Sequence, residues 1–412
     1  MTGSVGSGRS PDAALPRPGS ARPAGTWPAE ECRRGPISPP PSVRPRLGFA
    51  CAWGPIEADT WSGTPFRLRA ALAASGSLVP LAAELPAPVR LALKAASARR
   101  VDGQWVSLWK HGGVAKWLTQ KRLSQVARGS GCDAVVTIQD LGVLDVPYLV
   151  VQDLSYDALL DHVGPNGVPH FPGLTRSAIE RMRDRQLEVY AKAAMLLPMS
   201  QWLAGRLMRS GVPESKIVVA NPGVNVPMNP DLPVPERRVG PTRRLLFIGR
   251  DPETKALDVV VSSFARLRRD RGPAITLTVA GPAAWPIPGA VPDGVDFLGP
   301  VPRDRVPMLL DTHDLFVMPS RLEGFGIAFV EALCRGLPCI GRNAFAMPEI
   351  IKPGIGGALI DDDDQLAETI ATALDDDELY HRCAADAPAV RRHYTWDRAA
   401  AQVQSAVAGL MA

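Results

Sequence analysis

The sequence lacks the features that mark several functional classes. No stretch approaches the roughly 18 to 20 uninterrupted apolar residues of a membrane-spanning helix, and the N-terminus has no apolar core of a secretory signal. A cytosolic location is expected. The six cysteines, Cys32, Cys51, Cys132, Cys334, Cys339 and Cys383, include no C-x-x-C pair, and no His pair follows Cys334 and Cys339 at zinc-finger spacing. They read as buried thiols. Formal net charge is only +4. Residues 1–45 carry most of it, with six Arg against Asp12, Glu30 and Glu31, and the rest of the chain holds 40 basic and 39 acidic residues. A dedicated nucleic-acid binder is more lopsided, so none is expected as partner. No G-x-G-x-x-G follows a strand-like run, which disfavours a NAD dehydrogenase.

What is present is enough to build sizeable cores: 412 residues, 46% hydrophobic and 21% charged. Residues 1–45 are Gly, Ser, Pro and Arg with almost no branched apolar side chains, so they cannot offset the entropy of ordering and read as a disordered tail. Short apolar runs begin at Leu47 and recur at 134–138, 148–152, 194–199 and 217–221, separated by stretches of helical spacing such as Thr175 to Lys192. Strands apolar on both faces, alternating with helices, imply a parallel sheet covered by helices. Pro and charged residues dominate 226–241, a linker, after which a second set of strands follows at 244–250, 275–281, 295–299, 315–320 and 337–342. The expected fold class is therefore α/β, with two Rossmann-like, doubly wound parallel-sheet domains at 46–225 and 242–390, and function is expected on the strand ends facing the cleft between them.

Two segments there carry chemistry. Gly249-Arg250 ends a strand and Lys255 lies in the turn before a helix near Leu257; a close-approach Gly, a forked Arg and a compact Lys suit a diphosphate, although such cations in a loop are also ordinary solvated charges. In the second, a strand ends at Ser320, a turn R-L-E-G-F-G follows, and a helix is expected from near Phe325 to about Cys334. Glu323 and Glu331 are eight residues apart, roughly 12 Å if mostly helical, which exceeds the roughly 5 to 9.5 Å of a paired acid and base on one glycosidic bond. The spacing suits gripping two ends of one long ligand, with helix N–H groups near Gly326 facing a phosphate; an ordinary solvated Glu331 is the plainer reading.

With N-P-G-V-N (221–225), H-D-L-F-V-M-P-S (313–320), M-P-E-I-I (347–351) and G-G-A-L-I (356–360) following in order, the chain resembles glycosyltransferase family 4, retaining enzymes of GT-B architecture that use nucleotide-sugar donors. The resemblance covers nearly everything from Leu47 on and is strongest from Leu245 to Ile360. It implies that Glu323, with Gly324, Phe325 and Gly326, meets the donor sugar, that Glu331 holds the ribose, that Arg250 and Lys255 bind the diphosphate, and that backbone near Phe297 and Leu298 meets the base. In W-S-G-T-P-F (61–66), Gly63 corresponds to the Gly that lets backbone approach the diphosphate, though a plain helix start capped by Ser62 or Thr64 reads equally from the residues. Asp153 corresponds to a first-domain carboxylate near the reaction centre and also reads as a cap; His162 and His170 lie in the loop beyond it. Ala256 stands where the family prefers Gly.

The resemblance further implies a UDP- or GDP-type sugar donor, a sugar, lipid or small-metabolite acceptor, front-face retention, and a C-terminal segment, 391–412, crossing back to the first domain with Trp396 as packing anchor. No cofactor and no metal are expected: Asp361 to Asp364 lacks the alternating ligands of a calcium loop and precedes a helix 365–374, so it reads as capping. Residues 90–128 hold nine basic residues against Asp102, with Trp105, Trp109 and Trp117 interleaved. Either solvated helix faces with core tryptophans or a peripheral contact with anionic membrane explains them. A membrane-face glycolipid transferase and a non-catalytic sugar-nucleotide-binding scaffold are the alternatives to a soluble enzyme.

Overall fold

The computed structural model describes residues 45–411, apart from 102–103, 165–166, 169–170, 173, 227, 229–232 and 236–241. The expected tail up to residue 44, Cys32, Asp102, His170 and much of the expected linker lie outside the described residues.

The N-terminal lobe contains β1 (Leu47–Ala50), β2 (Leu78–Leu81), a hairpin β3–β4 (Ala98–Val101, Gln104–Ser107), β5 (Ala134–Ile138), β6 (Tyr148–Gln152), a short antiparallel pair β7–β8 (Gly167–Val168, Phe171–Pro172) and β9 (Met195–Pro198). One all-parallel sheet runs β2-β1-β5-β6-β9. Every residue of β1, β5 and β6 is buried, which is why these runs are apolar without alternation. Helices α1 (Thr64–Ser75), α2 (Ala87–Ala96), α3 (Gly113–Ser130), α4 (Tyr156–Leu160), α5 (Arg176–Lys192) and α6 (Gln201–Arg209) make the connections. Thr175 caps α5 by accepting from the Ala178 N–H at 3.3 Å.

The C-terminal lobe repeats the plan with β10 (Arg243–Ile248), β11 (Ile275–Ala280), β12 (Val295–Gly299), β13 (Leu315–Val317), β14 (Cys339–Arg342) and β15 (Gly357–Ile360) in the parallel order β12-β11-β10-β13-β14-β15. Around it lie α7 (Leu257–Arg271), α8 (Val306–Thr312), α9 (Ile327–Leu333), α10 (Met347–Ile351), α11 (Leu366–Asp375), α12 (Asp377–His393) and α13 (Trp396–Met411). In each sheet the chain winds outward one way and then returns to pair on the other side of its first strand. The reversal lies between β1 and β5 in one lobe and between β10 and β13 in the other, the positions where open α/β sheets bind ligands.

Three expectations change. The run 217–221 is not a strand; it meets β9 through one bridge, Ile217 to Leu196, before Pro222 removes a donor. Strand β2 was not expected because Pro80 interrupts it, and it is tolerated because β2 is an edge. Helix α9 begins at Ile327, not near Phe325, since Gly326 adopts φ +88°; it has only seven residues, so Glu323 sits in a loop and the helix end offers little dipole for a phosphate. As a capping site, Asp362 and Gln365 form a reciprocal box before α11. The described cysteines, Cys51, Cys132, Cys334, Cys339 and Cys383, are all buried and unpaired with one another.

Helix α13 runs back along α1, where Gln404 Nε2 donates to Ser75 Oγ at 2.8 Å. Trp396 Nε1 donates to the Val224 carbonyl at 2.9 Å, and Gly223 lies so close to the Trp396 main chain that a Cβ there would overlap it. Gly223→Ala is expected to lower stability by about 1–3 kcal/mol in urea denaturation through this overpacking.

Candidate active site

The loops after β1 and β10 face each other across the cleft. In the first, Trp61, Ser62 and Gly63 take φ of 46°, 55° and 92° in succession, and Gly63 opens α1 with Pro65 in its first turn. Two non-glycine residues in left-handed backbone are strained, and the strain is held from outside. Asn225 Nδ2 donates to the Ser62 carbonyl at 2.7 Å and lies 3.4 Å from Thr64 Oγ1. In the second loop the Lys255 stem crosses Gly249, where a Cβ would come within 2.9 Å of Lys255 Cγ. Gly281, at φ +120°, brings its own main chain against the Gly249 carbonyl. Two glycines thus let Lys255 fold over the end of β10. Arg250 beside it is exposed.

Lys255 Nζ donates to Glu323 Oε2 at 2.6 Å, and Ser320 Oγ donates to the same oxygen at 3.3 Å. Glu323 is 12% exposed in this pair, enough to turn one oxygen to the cleft. Facing it from the other lobe is Asp153, at the end of β6, whose Oδ2 lies against Gly324 with no room for a Cβ. Gln139 Nε2 holds Asp153 Oδ1 at 3.1 Å, and Gln139 is itself fixed at φ +63° at the end of β5. Burial, then the nearby Glu323 carboxylate, push the Asp153 pKa up to about 6 against the opposing hydrogen bonds and Lys255.

Glu331 is not a solvated helix residue. It is 7% exposed and accepts from the Asn225 N–H at 3.0 Å and from the Val226 N–H, both in the crossover after N-P-G-V-N. Burial raises its pKa to about 7 despite those bonds and the nearby Arg303. Around Leu298 the register jumps from Phe297 opposite Val279 to Gly299 opposite Ala280, so Leu298 is an extra residue on an edge strand with its ladder interrupted. Trp285 packs edge-on against Phe297 at 5.5 Å. The Phe325 ring is buried against Tyr394 at 6.0 Å, so its side chain is committed to packing. A Cβ at Gly326 would press on Met347 Cε at 2.5 Å.

The structure thus brings Arg250, Lys255, Glu323, Gly324 and Asp153 to one cleft, with Gly63 and Glu331 on its walls and Leu298 at the sheet edge. His162 lies elsewhere, its ring tilted against Phe345 at 4.9 Å. Glu349 of M-P-E-I-I accepts from the Gln201 and Trp202 N–H groups at 2.9 and 3.1 Å, capping α6 across the lobes. Three residues at the cleft escaped the sequence reading. Gln139 and Arg303 carry no motif signal, and Asn225 was visible only as the last letter of N-P-G-V-N. Among the described residues no cluster of His, Cys, Asp and Glu is arranged to hold a metal ion.

Residues 234–390 match the family model described as glycosyl transferases group 1. The match is confined to the C-terminal lobe. The paired lobes have the GT-B architecture: sucrose-phosphate synthase from Thermosynechococcus elongatus superposes with a TM-score of 0.62 at 15% identity, over 89% of this chain and 99% of that one. Among curated sequences, this chain is 26% identical over 272 residues to the colanic acid biosynthesis glycosyltransferase WcaL of Escherichia coli, covering 57% of this chain and 64% of WcaL. It is 31% identical over 215 residues to the D-inositol 3-phosphate glycosyltransferase of Corynebacterium efficiens, covering 46% of this chain and 50% of that protein. The chain therefore spans between half and two thirds of the length of these curated relatives.

The buried Glu331 yields a pH test of the C-terminal lobe. Its folded pKa, about 7, lies above the ordinary 4.5, so the folded state bears the cost of the charged form fully above pH 7 and progressively less as pH falls toward 4.5. Glu331→Gln keeps an acceptor for the two N–H groups without the charge. It is expected to raise stability at pH 8 by up to about 3 kcal/mol, with the gain fading toward pH 5, read as Tm against pH.

Proposed function

We propose that this chain is a retaining, metal-independent glycosyltransferase that moves a sugar from a nucleotide-sugar donor to an acceptor hydroxyl held against the N-terminal lobe. One observation carries the reading: Lys255 and Glu323 of one lobe and Asp153 of the other converge on Gly324 from opposite sides of the cleft. A binding scaffold would not need a carboxylate from each lobe at one glycine.

The difficult event is departure of a nucleoside diphosphate, which must carry negative charge away while the sugar carbon becomes cationic. Arg250 and Lys255, set at the end of β10, stabilise that charge without reorganising, which is work a metal would otherwise do. Glu323 takes the sugar hydroxyls, and Glu331 meets the ribose with whatever acceptor capacity the Asn225 and Val226 N–H groups leave. The interrupted edge at Leu298 meets the base. Asp153, ionised above about pH 6, faces the sugar from the acceptor side and favours its cationic character. Retention comes from the family 4 resemblance: the sugar–phosphate bond breaks, the acceptor oxygen bonds the same face, and its proton passes to the departing phosphate oxygen. Closure of the two lobes excludes water.

A screen of nucleotide sugars for thermal stabilisation followed by transfer assays tests this. Lys255→Ala is expected to raise donor KM and lower kcat, and Glu323→Ala to lower kcat by about 100-fold or more with little change in KM, in the presence of EDTA. Unchanged kinetics in both variants remove the site.

A second reading concerns where the acceptor resides. Helix α2 buries none of its side chains, and Leu91, Trp105, Val114 and Trp117 are 69, 76, 63 and 53% exposed while Trp109 is half-buried, so none of the three tryptophans is a core residue. Lys121 Nζ sits 4.5 Å over the Trp117 ring, and no acidic residue but Asp102 occurs between Glu84 and Asp133. Apolar tips among cations suit an anionic bilayer, and no described helix is long and apolar enough to cross one. The patch adjoins the cleft through α3, where Lys116 Nζ pairs with Asp140 at 3.0 Å, next to Gln139. A lipid-borne acceptor fits this placement. In flotation assays the chain is expected to bind vesicles containing phosphatidylglycerol and not phosphatidylcholine alone, and the Trp105→Ala/Trp117→Ala double variant to lose most of that binding; equal flotation of both proteins removes this reading.

A further inference from the structure

The donor-binding reading leaves Arg303 without a role. Arg303 lies in the turn between β12 and α8, on the C-terminal lobe, yet its guanidinium fills the space directly over Gly63 of the N-terminal lobe. That is the space a glycine is needed to open. Among the described residues its ion-pair partner is Asp59, four residues before Gly63, with Nη2 to Oδ1 at 3.4 Å, and Nη2 is enclosed without making a hydrogen bond to them. Arg67, in the first turns of α1, and Arg250 both lie close enough to act on the Arg303 charge, and with burial they lower its pKa. Three guanidinium groups from three segments therefore crowd the mouth of the strained W-S-G loop, and the carboxylates facing Arg303 are Asp59 and the buried Glu331. An arrangement with this much uncompensated positive charge is unfavourable by itself and becomes favourable around a dianion.

We propose that Arg303 is a third diphosphate-binding residue, which grips the phosphate nearer the nucleoside from the Gly63 side and exchanges its loose pair with Asp59 for that phosphate when donor binds. The exchange lets one side chain do two things. It adds a forked donor opposite Arg250 and Lys255, so the phosphates are held from both walls. It also makes lobe closure over Gly63 depend on the diphosphate, because the guanidinium reaches the N-terminal lobe at this glycine.

This inference rests on the nucleotide-sugar reading, and the test separates the two. Calorimetric titration of the full chain with UDP, GDP and the corresponding monophosphates first shows whether any nucleoside diphosphate binds; if none does, the donor reading itself fails. Given binding, Arg303→Ala is expected to weaken the diphosphate by about 10- to 100-fold and the monophosphate by much less, Arg303→Lys to recover part of the loss, and Asp59→Asn to leave diphosphate affinity equal or tighter. Thermal melting of each variant checks that it is folded. The inference is overturned if Arg303→Ala keeps the wild-type ratio of diphosphate to monophosphate affinity, or if Asp59→Asn weakens the diphosphate as much as Arg303→Ala does, since the pair would then serve only to hold the loop.

Discussion

The buried carboxylate of Glu331 is held by main-chain N–H groups of the crossover between the lobes, and much of the cleft is arranged around that contact. A charged group at this depth is costly unless its oxygens are satisfied, so the crossover cannot move away from α9 without leaving it unpaired. Asn225, fixed by giving its N–H to Glu331, uses its side chain to hold the Ser62 carbonyl and with it the left-handed loop that ends in Gly63. Two loops and helix α9, from distant parts of the chain, are thereby set with respect to one another by two residues. On the far side of the crossover Trp396 and Gly223 lock the C-terminal helices to the same segment.

Electrostatics divides the cleft into two regions. Toward Gly63 it is cationic, with Arg67 and Arg250 each acting on Arg303; toward Gly324 it is more acidic, with Lys255 paired to Glu323 and both near Asp153. A nucleotide sugar has the same polarity, a dianion joined to a neutral ring that becomes cationic during reaction. In the proposed reaction the carboxylates would stand where positive charge develops, and the guanidinium groups where negative charge departs. Close glycines make both regions possible: Gly249 and Gly281 allow Lys255 to fold over β10, and Gly324 allows Asp153 to reach across.

Most of the fold could be read in the residues. Fully apolar runs at 134–138, 148–152 and 275–280 are central strands because helices cover both faces, and only covered strands can be apolar without alternating. Edges were harder. The L-V-P-L strand is disguised by Pro80, and 217–221 looks like a strand but meets its neighbour at one bridge. Within the site, Arg250, Lys255, Glu323 and Glu331 were visible because they sit in one lobe at short spacing beside glycines. The burial of the Phe325 ring against Tyr394 was not visible, because a motif position does not tell which way a side chain turns.

The order of apolar runs, prolines and glycines by itself determined two parallel sheets, their strand-end loops and the cationic and acidic residues those loops carry, since each is a local consequence of periodicity and turn chemistry. Only the tertiary structure decided that Asp153 meets Gly324, that Asn225 spans the 163 residues to Ser62, and that Arg303 covers Gly63. Those contacts join the two lobes, and the packing that brings separately folded surfaces together leaves no periodic trace along the chain.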